Sequence, residues 1–134
     1  MTIKKVSRCL IIDDDAVSRY LAQEAIQEIN LAQQIVTANN GMQALDYIKE
    51  HCLSDRANCP ELIILDIKMP VMDGHEFLQE LAMLEDLKHN NTSIILYSSA
   101  AYQQEKEKLK GQFPILGYME KPITSEKLIE ILSN

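Results

Sequence analysis

Apolar and polar residues follow two rhythms along this chain. Short apolar-rich runs occur at 8–13 (RCLIID), 33–38 (QQIVTA), 61–67 (ELIILDI), 93–99 (SIILYSS) and 114–120 (PILGYME). Each reads as a strand. The segments between them repeat their apolar residues every three or four positions. In 16–30, Ala22, Ala25, Ile26 and Ile29 share a face; in 40–52, Leu45 and Ile48 do. In 75–87 the inward set is Phe77, Leu78, Leu81 and Leu84, and in 125–133 it is Leu128, Ile131 and Leu132. That spacing predicts amphipathic helices. Asn39 or Asn40 and Thr124 are the expected N-caps. Residues 54–60 are a loop, and Pro70 with Asp73-Gly74 marks a turn. The polar segment 100–111 (AAYQQEKEKLKG) reads as a further helix, capped by Gly111.

Five strands thus alternate with five helices, which predicts an α/β fold: a doubly wound parallel sheet covered on both faces. Three of the strands are apolar without alternation, as burial on both sides requires. With 134 residues, 46% of them hydrophobic, one core and one domain spanning 1–134 are expected. The chain ends soon after its fifth helix, so no output domain is expected. Thirteen basic against twenty acidic residues leave a net charge of −7. That charge argues against direct nucleic-acid binding. No apolar run approaches the roughly 18 residues that span a bilayer, so membrane insertion is not expected. The start, MTIKKVSRCLIIDDD, is too short in its apolar part and too acidic for a signal peptide. Cys9, Cys52 and Cys59 show no CxxC spacing. They are read as reduced structural thiols of a cytoplasmic protein, with Cys52–Cys59 pairing the less favoured alternative.

Ligands of an open parallel sheet bind beyond the carboxyl ends of its strands. Asp13 and Asp14 stand at the end of the first strand, Asp66 at the end of the third, Ser98 at the end of the fourth, and Lys121-Pro122 after the fifth. A helix N-terminus favours acids by about 0.3–1 kcal/mol each, which accounts for Asp15. It accounts for neither Asp66 nor Lys121. Clustered carboxylates repel unless compensated, and a hard divalent cation such as magnesium prefers oxygen ligands. Without it, at least one carboxylate should have a raised pKa.

The elements IIDDD, LDIKMPVMDG, IILYSS and YMEKP resemble those of the response-regulator receiver domain, over about residues 7–133. The resemblance implies a flavodoxin-like sheet in the order 2-1-3-4-5 and a role in two-component signalling. It implies that Asp66 accepts a phosphoryl group from a histidine kinase. Asp14, Asp66 and the backbone carbonyl of Lys68 would bind Mg2+ (Mn2+ is the alternative), with Asp13 acting mainly through water. Lys121 would pair with the phosphoryl oxygens, and Ser98 would offer its hydroxyl. Tyr118 stands where the family often has a rotating aromatic switch; a core aromatic is the other reading. The surface of the fourth helix, fifth strand and fifth helix would then change shape and signal to a protein partner. Such a domain is not an enzyme in its own right but assists its own phosphorylation and dephosphorylation. A relay intermediate, passing the group to a histidine phosphotransfer protein, would use the same residues.

Some positions depart from the family pattern. Ser98 replaces a frequent threonine but keeps the hydroxyl. Ala100 offers no group to steer an attacking water. Lys68 either reaches the site entrance or is a solvated surface residue, and it argues against a phosphohydrolase, which would need an acid there. The long segment 51–60 either contacts a partner or is merely a surface connection. EKEKLK (105–110) is a solvated helix face or a surface read by a partner. Tyr97 and Tyr102 are weaker switch candidates than Tyr118. His51, His75 and His89 are read as solvated, and Met42, Met83 and Met119 as core gap-fillers.

Overall fold

The structure is a computed structural model that describes residues 3–52, 59–84, 92–99 and 115–133. Its elements in chain order are β1 (Val6–Ile12), α1 (Ala16–Glu28), β2 (Ala32–Ala38), α2 (Gly41–Cys52), β3 (Leu62–Asp66), α3 (Gly74–Ala82), β4 (Ser93–Ser98), β5 (Ile115–Glu120) and α4 (Ser125–Leu132). The five strands form one parallel sheet in the order β2-β1-β3-β4-β5, as expected. Four helices lie among the described residues. The helix expected at 100–111, with Tyr102, the EKEKLK run and Gly111, lies outside them, as do His89 and most of the 51–60 connection. Among the described residues no helix is long and apolar enough to cross a membrane.

Strand alternation explains the unbroken apolar runs. Leu10, Ile12, Ile63, Leu65, Ile94 and Leu96 point to one face, where they meet Ala44, Leu45 and Ile48 of α2 and Phe77, Leu78 and Leu81 of α3. Cys9, Ile11, Leu62, Ile64, Ile95 and Tyr97 point to the other, against Ala22, Ala25 and Ile26 of α1 and Leu128 of α4. Burying a side chain of this size stabilises by about 1.5–3 kcal/mol, so two such layers suffice for one stable core. Helix starts follow the caps: Asp15 for α1, Asn40 for α2 (Oδ1 accepts from Gln43 N–H at 2.9 Å) and Thr124 for α4. Asp73 caps α3 in a reciprocal box with Glu76. That helix ends at Ala82, short of the expected residue 87, where the Met83 N–H turns back to Glu80 and Leu81.

Two expectations are corrected. Met42 and Met83 are not gap-fillers: they are 44% and 72% exposed, Met42 on α2 and Met83 at the C-cap of α3. Met119 is buried as expected, and Met69 and Met72 fill the core on the other face of the sheet. Nor are all three thiols reduced. Cys52 and Cys59 form a disulfide, while Cys9 is free and buried. The end of α2 and the approach to β3 pack into the same core layer, so their Cα atoms come within 4.4 Å despite a separation of seven residues.

The loop from β3 to α3 is held tightly. Gly41 and Gly74 both lack room for a Cβ. One at Gly74 would lie 2.8 Å from the Asp66 carbonyl oxygen, and one at Gly41 2.8 Å from that of Met72. Between them the Met72 N–H bonds the Pro70 carbonyl at 2.8 Å around Val71, whose φ is 70°. This is a γ-turn with a β-branched residue in a strained conformation. The loop therefore leaves β3 along one defined path, directly after Asp66.

Closing a loop of this length by a disulfide stabilises a fold by about 2 kcal/mol. Urea unfolding with and without reductant should show a loss of that order, and Cys52→Ala with Cys59→Ala should make the protein insensitive to reductant.

Candidate functional site

Three carboxylates meet at the C-terminal rim of the sheet. One oxygen from each of Asp13, Asp14 and Asp66 lies within 4.8 Å of the other two. Backbone register makes this unavoidable for two of them. Ile12 pairs with Leu65 across β1 and β3, so the next residues, Asp13 and Asp66, stand side by side. Asp14 is exposed at the mouth of the cluster. Asp15 has left it to cap α1, where its Oδ2 accepts from the Ser18 N–H at 3.1 Å and hydroxyl at 2.7 Å. That hydroxyl bond, first, lowers the Asp15 carboxyl below its ordinary value.

Asp13 is fully buried, and among the described residues its carboxylate accepts from a backbone turn, one cation and one phenol. Its Oδ1 accepts from the Asp15 N–H at 2.9 Å. Its Oδ2 accepts from Lys121 Nζ at 3.0 Å and from the Tyr97 hydroxyl. Lys121 also reaches Asp66 Oδ2 at 3.2 Å, and its ammonium lies 4.9 Å from the centre of the Tyr97 ring. The Lys121 N–H bonds the Ser98 carbonyl at 2.8 Å, and the Lys121–Pro122 peptide is cis. Arg19 donates to the Asp13 carbonyl at 2.8 Å.

The charges respond to this crowding. Burial, and then the Asp13 charge, push the Asp66 carboxyl up to about 7 against the pull of Lys121. Burial disfavours the charged Lys121, but its bond to Asp13 and the two carboxylate charges outweigh that and raise its pKa. Burial and the Asp13 charge raise the Tyr97 phenol, which therefore stays protonated and donates.

Ser98 and Tyr118 form a second pair. The Ser98 hydroxyl donates to the Ser99 carbonyl at 3.1 Å, which leaves Tyr118 to donate to Ser98 Oγ at 2.6 Å. Ser98 follows Tyr97 and so faces the opposite side of the sheet. Tyr118 packs, partly buried, against the core on that side. The backbone N–H of Lys68 donates to Asp66 Oδ1 at 3.3 Å, and its side chain is exposed. Asp13, Asp14, Asp66 and Lys121 thus share one cluster, and Ser98 and Tyr118 are joined to each other, with the Ser98 carbonyl tied to the Lys121 backbone. Nothing in the sequence pointed to Arg19, and Tyr97 stood out only as a weaker switch candidate than Tyr118. The parity of β4 contained the signal for the second: Tyr97 pairs with Asp66 and projects to the same face.

Residues 9–133 match the family described as the response regulator receiver domain. The chain belongs to that family. This receiver domain is 29% identical to the chemotaxis protein CheY of Bacillus subtilis, over 94% of each chain. It is 31% identical over 90% of its length to a protein-glutamate methylesterase/protein-glutamine glutaminase of Rhodospirillum rubrum, of which it spans only 29%. A crystal structure of a two component response regulator from Cytophaga hutchinsonii superposes with a TM-score of 0.81 over 97% of this chain and 96% of that one. At 23% identity that likeness concerns the fold. The receiver domain's acidic cluster therefore stands in the architecture of two-component signalling proteins.

Because the folded pKa of Asp66 is raised, the folded protein holds its proton more tightly than the unfolded chain does. Its contribution to stability is full at acid pH, below the ordinary carboxylate value, and is lost as pH rises through about 7. In metal-free buffer the Asp66 carboxyl 13C resonance should titrate near pH 7, and the wild type should lose stability relative to Asp66→Asn between about pH 4 and 7.

Proposed function

We propose that this receiver domain accepts a phosphoryl group on Asp66 from the phosphohistidine of a kinase or a histidine phosphotransfer protein. The observation that carries this reading is the single cluster of Asp13, Asp14, Asp66 and Lys121, closed by the 3.2 Å contact between Lys121 and Asp66.

The donor set fits a hard divalent cation. It is made of oxygens alone, its spacing lies within 4.8 Å, and Asp14 opens to solvent, from which waters would complete the shell. Two oxygens bound to one magnesium stand at most about 4.2 Å apart, and a ligand acting through water stands farther away. Asp14, Asp66 and the Lys68 carbonyl would hold Mg2+ (or Mn2+) directly, with Asp13 acting through water. When bound, the cation neutralises the carboxylates and the phosphoryl oxygens.

Asp66 acts as the carboxylate. Its oxygen forms a bond to phosphorus while the P–N bond of the phosphoimidazole breaks and the imidazole nitrogen keeps the electron pair. Lys121, already 3.2 Å from Asp66 Oδ2, turns to the phosphoryl oxygens. The product carries more negative charge and new acceptors at the same spot. Ser98 then turns its hydroxyl toward them and gives up its bond to Tyr118. The freed ring repacks, and the surface of β5 and α4 changes for a protein partner. Onward transfer to a second histidine protein would use the same acyl phosphate.

Incubation with acetyl phosphate and Mg2+ should add one phosphoryl group by intact mass, and Asp66→Asn or chelation of the metal should abolish it. Retained phosphorylation in Asp66→Asn would sink the assignment. Return of the group to a histidine phosphotransfer protein would separate a relay intermediate from a terminal switch.

A further inference from the structure

We infer that Tyr97 is a positioning residue whose hydroxyl holds the Asp13 carboxylate and offsets its charge in the metal-free site, a part that a bound divalent cation takes over. The inference rests on the metal and phosphoryl reading of the Asp13, Asp14 and Asp66 cluster.

Tyr97 lies on β4, in register with Asp66 on β3, and Asp66 stands beside Asp13 at the end of β1. To bond Asp13 Oδ2, the Tyr97 side chain must cross an entire intervening strand. A tyrosine that served only to fill the core would need no such reach. The ring is buried among Ile11, Ala22, Ile26 and Ile123, so the phenol has little freedom to point elsewhere. Its face also seats the Lys121 ammonium. One side chain therefore orients both the buried acid and the cation that bridges the two carboxylates.

Counting acceptors shows what the hydroxyl does. A carboxylate offers about four lone-pair sites. Among the described residues, Asp13 accepts from the Asp15 N–H, Lys121 and Tyr97. A metal-bound water that approaches Asp13 has the fourth site open to it, so no donor need leave. With the cation absent, the hydroxyl and Lys121 offset the Asp13 charge between them. With it present, the ion and its water share that charge, and the hydroxyl bond to Asp13 counts for less. Removing the hydroxyl should accordingly harm the metal-free protein more than the metal-loaded one, and so tighten metal binding.

Tyr97→Phe keeps the ring, the core contacts and the seat of Lys121, and deletes only the donor. Amide NMR titration with Mg2+, and Mn2+ titration by electron paramagnetic resonance, should show roughly three- to tenfold tighter binding than wild type. The urea midpoint without metal should fall, and saturating Mg2+ should narrow the gap. A role in packing alone would lower the midpoint equally with and without metal and leave the affinity unchanged. Unchanged or weaker affinity in Tyr97→Phe, with normal binding by the wild type, overturns this inference alone. If the wild type shows no saturable binding, the metal reading falls too. Should Tyr97→Phe not fold, wild-type protein carrying 13Cζ-tyrosine keeps the test open. The Tyr97 resonance should move along the same saturation curve as the metal, and a resonance that stays still overturns the inference.

Discussion

Like charges held at the rim of a buried sheet are the constraint on which everything else turns. Register alone sets Asp13 beside Asp66, and neither can retreat into water because both are buried. The fold offsets this with Lys121, which bridges the two at 3.0 and 3.2 Å, and with the Tyr97 hydroxyl. The compensation is incomplete: Asp66 still favours its proton far above the ordinary carboxylate range. A site left in that condition has a standing affinity for positive charge. It can satisfy that affinity with a proton and, on the proposed function, with a divalent ion, which would make it responsive to its surroundings.

The surrounding structure keeps the site from relaxing. Gly74 packs against the backbone of Asp66, Val71 is held in a γ-turn, and the Asp73–Glu76 box fixes the start of α3. Asp15 is tied to Ser18 and cannot swing back into the cluster. Lys121 is anchored through its backbone to Ser98, whose own hydroxyl meets Tyr118. Asp66 is thereby linked through Lys121 and Ser98, by three successive hydrogen bonds, to a ring on β5. Such short, connected paths let a local electrostatic event reshape a surface.

Strand parity and strand ends were plain from the amino-acid order, because sheet burial dictates apolar runs and the acids at their ends break them so abruptly. Asp13, Asp14 and Asp66 were legible for that reason, and Lys121 from its place after the last strand. Tyr97 was not, since an aromatic in an apolar strand ordinarily fills a core; only the pairing of β4 with β3 shows that its hydroxyl reaches a carboxylate. The Cys52–Cys59 bridge was the less favoured alternative because spacing along the chain says little about distance across a packed connection. Met42 and Met83 were misjudged because a flexible apolar residue suits either face of a helix. The join between Ser98 and Tyr118 needed the register of β4 with β5, which shifts between Ile94 and Ile95.

Equilibrium unfolding of wild type and Asp66→Asn at neutral pH, each with and without Mg2+, tests the central claim most directly. If unrelieved repulsion governs the rim, the asparagine variant is the more stable of the two without metal, and Mg2+ stabilises the wild type while leaving the variant nearly unmoved. A variant less stable than wild type in metal-free buffer, together with a wild type indifferent to Mg2+, would contradict the account.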